Sequence, residues 1–230
     1  KRIVGAFKQK LLDKSVDIKT SHAAIAIKTG TSAKPVIHFA DGNALEFDKV
    51  VSTLPAGLSA KICTGLTAPE IKKLEEIEYL GVICMAVLLD KPISNFYVTN
   101  ITDSWVPFTG VIEMSALVDK KYFDGHNLVY LPKYVSPFDP LFNFSDEEIK
   151  KFFLKKMYPS VKDSDIKFAG VARAKHVITV LTKNYSKNLP AVTTSVPGLY
   201  IINTSYIQDG TLNVNETIKV ADEKLNEITA

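Results

Sequence analysis

The sequence predicts an α+β chain, and three observations carry that expectation. The apolar run Leu199 to Ile202 is followed by a polar turn and then by a helical period from Leu212 onward. The run Gly81 to Leu89 is continuous, apolar and of strand length. Short strand-like segments separated by Asp, Gly, Pro and Asn recur between these two, with a few helices among them, which is the pattern of helices against a mostly antiparallel sheet. At 230 residues, 46% hydrophobic and 23% charged, the chain can bury one large core or two modest ones.

Taken in order, Ile3, Val4, Phe7, Leu11 and Leu12 form an apolar stripe on a first helix, with Lys8, Gln9, Lys10 and Asp13 away from it. The stripe calls for a partner. Val16 to Ile27 alternates loosely, Lys28 to Lys34 is a turn, and Pro35 to Phe39 with Leu45 to Leu54 flank Asp41-Gly42-Asn43 as a hairpin and following strand. Thr67-Ala68-Pro69-Glu70 opens a helix expected to reach about Tyr79. Strands are expected at Gly81 to Leu89, Phe96 to Ile101, Gly110 to Leu117 and Asn127 to Tyr134. Ser145-Asp146-Glu147-Glu148 is a capping box. It starts a helix to about Met157 that buries Ile149, Phe152, Phe153 and Lys156 or Met157 and stops at Tyr158-Pro159. Asp165 to Thr182 is strand-like with a break near Ala174-Lys175-His176. In the last helix Val214, Ile218, Ala221, Leu225 and Ile228 make the side expected to bury.

Composition excludes several classes. A formal charge of +3, with Lys and Arg interspersed among Asp and Glu, gives no basis for nucleic-acid or membrane-surface binding, and none is expected. No apolar run reaches the roughly 18 residues of a bilayer span. Cys63 and Cys84 lie in apolar surroundings and read as free thiols, which fits a reducing, cytoplasmic setting. His22, His38, His126 and His176 lack metal-ligand spacing, so no metal site is expected. There is no Gly-x-Ser-x-Gly elbow, no P-loop and no Gly-x-Gly-x-x-Gly.

Two stretches carry a family resemblance. One is Leu199-Tyr200-Ile201-Ile202-Asn203 with the turn Gln208-Asp209-Gly210 and the helix after Asn213; the other is Phe47-Asp48-Lys49-Val50-Val51-Ser52-Thr53-Leu54-Pro55. On residue types alone the first reads as an ordinary capped helix after a core strand, because Asx, Ser and Thr gather at helix starts. Their order along the chain resembles the flavin-containing amine oxidase and protoporphyrinogen oxidase superfamily, as do the middle runs Pro107-Phe108-Thr109-Gly110-Val111-Ile112-Glu113 and Val129-Tyr130-Leu131-Pro132-Lys133-Tyr134. The resemblance implies an α/β remnant of an FAD-binding domain at 1–55 and 195–230, and a mixed, mostly antiparallel substrate domain at 56–194. It implies FAD as cofactor in the full-length protein, with Val16, Ile18, Thr53, Pro55, Asn203, Gln208, Asp209, Gly210 and Asn213 on the cofactor side. The pyrophosphate-binding βαβ unit of that family would lie in a missing N-terminal dinucleotide-binding segment, so the chain alone is expected to hold FAD weakly or not at all and to be inactive.

The expected chemistry is hydride transfer from a small organic substrate to flavin, which needs few conspicuous protein groups because the cofactor accepts the hydride. Trp105, Glu113, Tyr130, Lys133 and Tyr134 are the candidate substrate-binding residues, with Arg173 and His176 as further polar groups; no residue is assigned a catalytic role. Two alternatives stand beside this reading. One is a flavin-dependent isomerase resembling UDP-galactopyranose mutase, which would want several Arg where this chain has Arg2 and Arg173. The other is a non-catalytic α+β binding module that grips a partner through Trp105, Phe108, Tyr130 and Tyr134.

Overall fold

The computed structural model describes residues 2–157 and 161–229. In chain order the elements are α1 (Arg2–Leu12), β1 (Ala24–Thr29), β2 (Pro35–Phe39), β3 (Ala44–Glu46), β4 (Val50–Ser52), α2 (Ala56–Ile62), α3 (Ala68–Glu75) and β5 (Tyr79–Leu89). They continue with β6 (Val98–Asn100), β7 (Gly110–Glu113), β8 (Asn127–Val135), α4 (Asp146–Leu154), β9 (Ile166–Thr179), α5 (Tyr185–Asn188), β10 (Leu199–Ile201) and α6 (Val214–Thr229). The class is α+β, as the sequence predicts, with most strand pairs antiparallel. The chain forms two compact units. One holds the residues through Glu76, Asn188–Tyr206 and those from Val214 on; the other holds Ile77–Lys187 and Ile207–Asn213.

The first unit contains an antiparallel meander, β1-β2-β3, and a parallel pair, β4 with β10. The turn between β2 and β3 is made by Asp41, whose carboxylate accepts from the Asn43 amide at 3.0 Å, and by Gly42 at φ +88°. Short α2 follows Pro55 directly and buries Ala56 and Ser59; no apolar period in the sequence announced it. A bridge between Ile27 and Cys63 ties its end to β1. Helix α3 ends at Glu75, short of the expected Tyr79, which is instead the first residue of β5.

Both terminal helices form where the period places them, but their apolar stripes are not covered. In α1, Ile3, Val4 and Phe7 are exposed and no residue of the helix is buried. In α6 the expected face is corrected: Val214, Ile218 and Leu225 are exposed, and the helix docks through Val220 with half-buried Glu216 and Lys224 one turn to either side. At the end of α6, Lys49 Nζ donates to the Ile228 carbonyl at 2.9 Å.

The second unit is a five-stranded antiparallel sheet in the order β6-β7-β8-β5-β9. Burial in β5 alternates strictly, so its odd-numbered side chains form a core face and its even-numbered ones an outer face. On the core face Ile83, Met85, Val87 and Leu131 meet Ile149 and Phe153 of α4, all six completely buried. Burying Ile149 and Phe153 contributes about 2–3 kcal/mol each as an upper estimate, which is what holds α4 to the sheet. Its N-terminus is closed as expected: Ser145 N–H donates to Glu148 Oε2 at 2.8 Å, and Glu148 N–H donates back to Ser145 Oγ at 3.3 Å.

The second unit differs from expectation at several points. β7 stops at Glu113, because Ser115 turns its hydroxyl to accept the Leu128 amide at 2.9 Å and so takes the place of a ladder bond. β6 is confined to Val98–Asn100, and Phe152 is 40% exposed while Met157 is buried. The stop expected at Tyr158-Pro159 lies outside the described residues. The break expected near Ala174 to His176 is a bulge: Val82 pairs with Ala174 but Leu80 with Ile178.

Candidate functional site

The parallel pair is the first place where the chain brings expected site residues together. Leu199 opposes Val50, Tyr200 opposes Val51 and Ile201 opposes Ser52, so both strands end at the same level. Ile202 N–H extends the pair by donating to the Ser52 carbonyl at 3.0 Å. Just beyond stand Thr53, Leu54 and Pro55 on one strand and Asn203 on the other. Asn203 Nδ2 donates to the Leu54 carbonyl at 2.9 Å while its Oδ1 accepts from the Ser205 amide at 2.9 Å. The side chain therefore clasps the two strand ends. In open α/β sheets the crevice outside the carboxyl ends of parallel strands is where ligands sit.

Behind this edge is a small buried hydroxyl network that the sequence did not announce. Ser52 Oγ and Ser59 Oγ share a hydrogen bond of 2.8 Å, and Ser59 Oγ donates to the Leu54 carbonyl at 3.2 Å. Beside it, burial pushes the Cys63 thiol up to about 11, opposed only in part by a hydrogen bond with Ser52. That thiol is a packing group rather than a nucleophile. Below the edge, Glu70 is a clamp. It accepts from Thr67 N–H and Oγ1, both at 2.7 Å, and from Ser195 N–H and Oγ, both at 2.6 Å, joining segments 125 residues apart. Burial pushes its carboxyl up, but those four donors outweigh it and hold the group below the ordinary glutamate value. A mainly apolar cavity of about 150 Å³, lined by Leu66, Leu74, Pro190 and Ile201, opens beside Glu70.

The other cofactor-side candidates lie elsewhere. Val16 and Ile18 sit in the irregular segment between α1 and β1 with exposed side chains, and Val16 N–H closes α1 by donating to the Leu11 carbonyl at 3.0 Å. Gln208 and Asp209, in the second unit, line an open polar recess with Asn184 and Ser186. Gly210 is exposed in the same segment, and Asn213 Nδ2 donates to the Thr211 carbonyl at 2.9 Å, one residue before α6.

Within the second unit the five substrate-side candidates divide between two faces. Tyr130 and Tyr134 lie on the outer face, in register with Ala86 and Val82. Lys133 pairs with Ile83 and Glu113 with Val129, which puts both on the core-face side. Glu113 is 1% exposed and accepts from the Ile93 amide at 3.0 Å and from Ser115 Oγ at 2.8 Å, so it pins the loop before β6. Trp105 is exposed on the β6–β7 connection with Lys156 Nζ 5.5 Å from its ring centroid. Arg173 Nη1 contacts Asp146 and its Nη2 donates to the Phe144 carbonyl at 2.8 Å, fixing β9 to the start of α4. His176 is exposed and meets Tyr79 edge-on at 5.4 Å. Among the described residues, no three His, Cys, Asp or Glu side chains converge where a metal ion would fit. No helix among them is long and apolar enough to cross a membrane.

A parallel strand pair with clasped carboxyl ends, carried together with a helix-backed antiparallel sheet, defines a two-unit α+β chain with one edge of α/β type. Residues 3–197 match the model of the flavin containing amine oxidoreductase family. The chain belongs to that family. No curated protein matches the sequence. Among solved structures it is similar to an oxidoreductase from Methanosarcina mazei, with TM-score 0.69 and 17% identity over 95% of this chain and 52% of that one. It is also similar to a putative protoporphyrinogen oxidase from Exiguobacterium sp. 255-15, with TM-score 0.71 and 13% identity over 94% of this chain and 50% of that one. A reduced UDP-galactopyranose mutase gives TM-score 0.63 and 17% identity over 80% of this chain and 40% of that one. At these identities the likeness is one of fold, and the chain spans about half the length of these proteins or less.

Proposed function

We propose that this chain is the part of an FAD-dependent oxidoreductase that closes one edge of the cofactor site and supplies the wall of the substrate site. The observation that carries the reading is the parallel pairing of β4 with β10 in a chain of this family. The groups at its carboxyl edge, Thr53, Pro55 and Asn203, are uncharged, so they fit the flank of an anionic dinucleotide without repelling it. They would hold FAD within the first unit, where Val16 and Ile18 are proposed for its adenine side; Gln208, Asp209, Gly210 and Asn213 are the cofactor-side candidates that the second unit carries. Bound there, FAD supplies the hydride-accepting chemistry. The chain's own residues would orient a small organic substrate and keep water from it, with Tyr130 and Tyr134 on the outer face of the sheet as the side chains nearest that task.

Uncovered apolar side chains on α1 and α6 support a partner segment that bears the pyrophosphate-binding turn, since Ile3, Val4, Phe7, Val214 and Ile218 stand in solvent. Free Cys63 and Cys84 support a reducing, cytoplasmic location. A mutase-like rearrangement of a sugar nucleotide is a second reading, supported by the fold shared with the reduced mutase. It is weakened because Arg173 is already committed to Asp146 and Phe144. The test is a titration with FAD, followed by flavin fluorescence and visible absorbance, on this chain and on the protein expressed from its full coding sequence. The reading requires a bound flavin in the full-coding-sequence protein that is lost or weakened at least about tenfold by Asn203→Leu. A full-coding-sequence protein that binds no flavin refutes it and leaves the partner-binding module.

A further inference from the structure

We infer that the substrate is an uncharged, largely apolar molecule that lies along the outer face of the five-stranded sheet; this rests on the proposal that the face is the substrate wall. Three observations lead there. First, the floor of that face is low. Cys84 and Ala86 of β5 pair with Ala172 and Gly170 of β9, and Ala174 is the next outer position on β9, so the small side chains run over roughly 7 Å of one strand and roughly 14 Å of its neighbour. Second, the floor has aromatic borders. Tyr130 and Tyr134 rise from β8 on one side, and the exposed Phe168 ring lies over Gly170, where an added Cβ would come within 2.9 Å of it.

Third, charge is turned away from it. The register sends Glu113, Lys133 and Arg173 to the side of Val129 and Ile83, where the first and last are consumed by protein partners. The outer positions of the same strands hold no carboxylate, ammonium, guanidinium or imidazole over Val82 to Leu88, Leu128 to Tyr134 and Phe168 to Ala174. Cys84 does not supply one either, since burial raises its thiol against a backbone hydrogen bond from Leu131. A cationic amine or an anionic phosphate laid on this face would shed water and gain no counter-charge, whereas a neutral ring or chain sheds water favourably. The phenol hydroxyls can still orient one carbonyl or hydroxyl of such a ligand.

The test uses one ring in three charge states: 9-anthracenemethanol, 9-anthracenemethylammonium and 9-anthracenecarboxylate, titrated into the chain by fluorescence and followed at the Ala172 and Ala174 methyl resonances. The neutral probe should bind at least about tenfold more tightly than either ion and shift both methyls. Ala172→Asp, at an exposed position that tolerates the change, should narrow or invert the preference for neutral over cation by about fivefold or more. Lys133→Ala, on the opposite side, should leave all three affinities unchanged. Equal or stronger binding of an ion, unmoved methyls, or an unaltered preference in Ala172→Asp overturns the inference. The two failures are separable. A charge-blind face in a protein that holds FAD refutes the substrate class alone, and absence of flavin from the full-coding-sequence protein refutes the wall reading, and the substrate assignment with it.

Discussion

Gly198 is the residue on which the parallel strand pair turns. It stands at φ +76°, and its carbonyl accepts the Val50 amide at 2.8 Å, so it sets where β10 meets β4. A Cβ at this position would lie 2.5 Å from the Asp48 carbonyl oxygen and 3.1 Å from Pro35 Cδ. Gly198→Ala therefore incurs two costs, about 1 kcal/mol for a left-handed backbone and about 2 kcal/mol for the displacement that relieves the overlap. Gly42→Ala separates the two, because Gly42 is also left-handed at φ +88° but has nothing within 4 Å of the added carbon. Urea denaturation with amide exchange as the local readout should give about 3 kcal/mol for the first variant and about 1 kcal/mol for the second. The loss in Gly198→Ala should concentrate in the amides of Val50 and Ile202, which hold the pair together. Equal destabilisation by the two variants, or unchanged exchange at those amides, would refute the argument that this backbone crossing positions the cofactor edge.

Glu113→Ala should cost about 2–4 kcal/mol because it strands the Ile93 amide and the Ser115 hydroxyl in the interior, whereas Glu113→Gln should recover most of that; thermal melts of both distinguish a structural pin from a surface acid. Acid unfolding should be less steep in Glu70→Gln. The folded-state value of Glu70 lies below its ordinary 4.5, so its contribution is complete above that pH and is lost as pH falls through the lower folded value. Iodoacetamide at pH 8 should label Cys63 only after denaturation, since a thiol pushed up to about 11 is ionised there in about one molecule in a thousand. Phe7→Asp on α1 should change the stability of the chain by less than about 0.5 kcal/mol, whereas Val220→Asp on α6 should cost about 2 kcal/mol or more, a contrast that urea titration reads directly.

Much of this molecule was legible in its sequence, and the legible parts are those governed by local chemistry. The capping box at Ser145 and Glu148, the turn at Asp41 and Gly42, the unbroken apolar run of β5 and the period of α1 each depend on residues within a few positions of one another. The family resemblance put Val50 to Pro55 and Leu199 to Asn203 in one domain, and Val50–Ser52 pairs there with Leu199–Ile201 in parallel. The family resemblance rested on these stretches and on the middle runs, and residues 3–197 match that family.

What only the tertiary structure decided is which way side chains of the same strand or helix point, and what they meet far along the chain. Glu70 reads as a residue suited to a helix start, yet its carboxylate is held by Ser195, which sequence spacing cannot foresee. Tyr130 and Lys133 stand three apart on β8, and the pleat sends them to opposite faces once β5 sets the register. The α6 stripe was right as a period and wrong as a buried face, because a helix shows its amphipathic pattern in sequence but its rotation is set by what it packs against. Local order is written in neighbours along the chain, while facing and partnership are settled only when distant segments compete for the same buried surface.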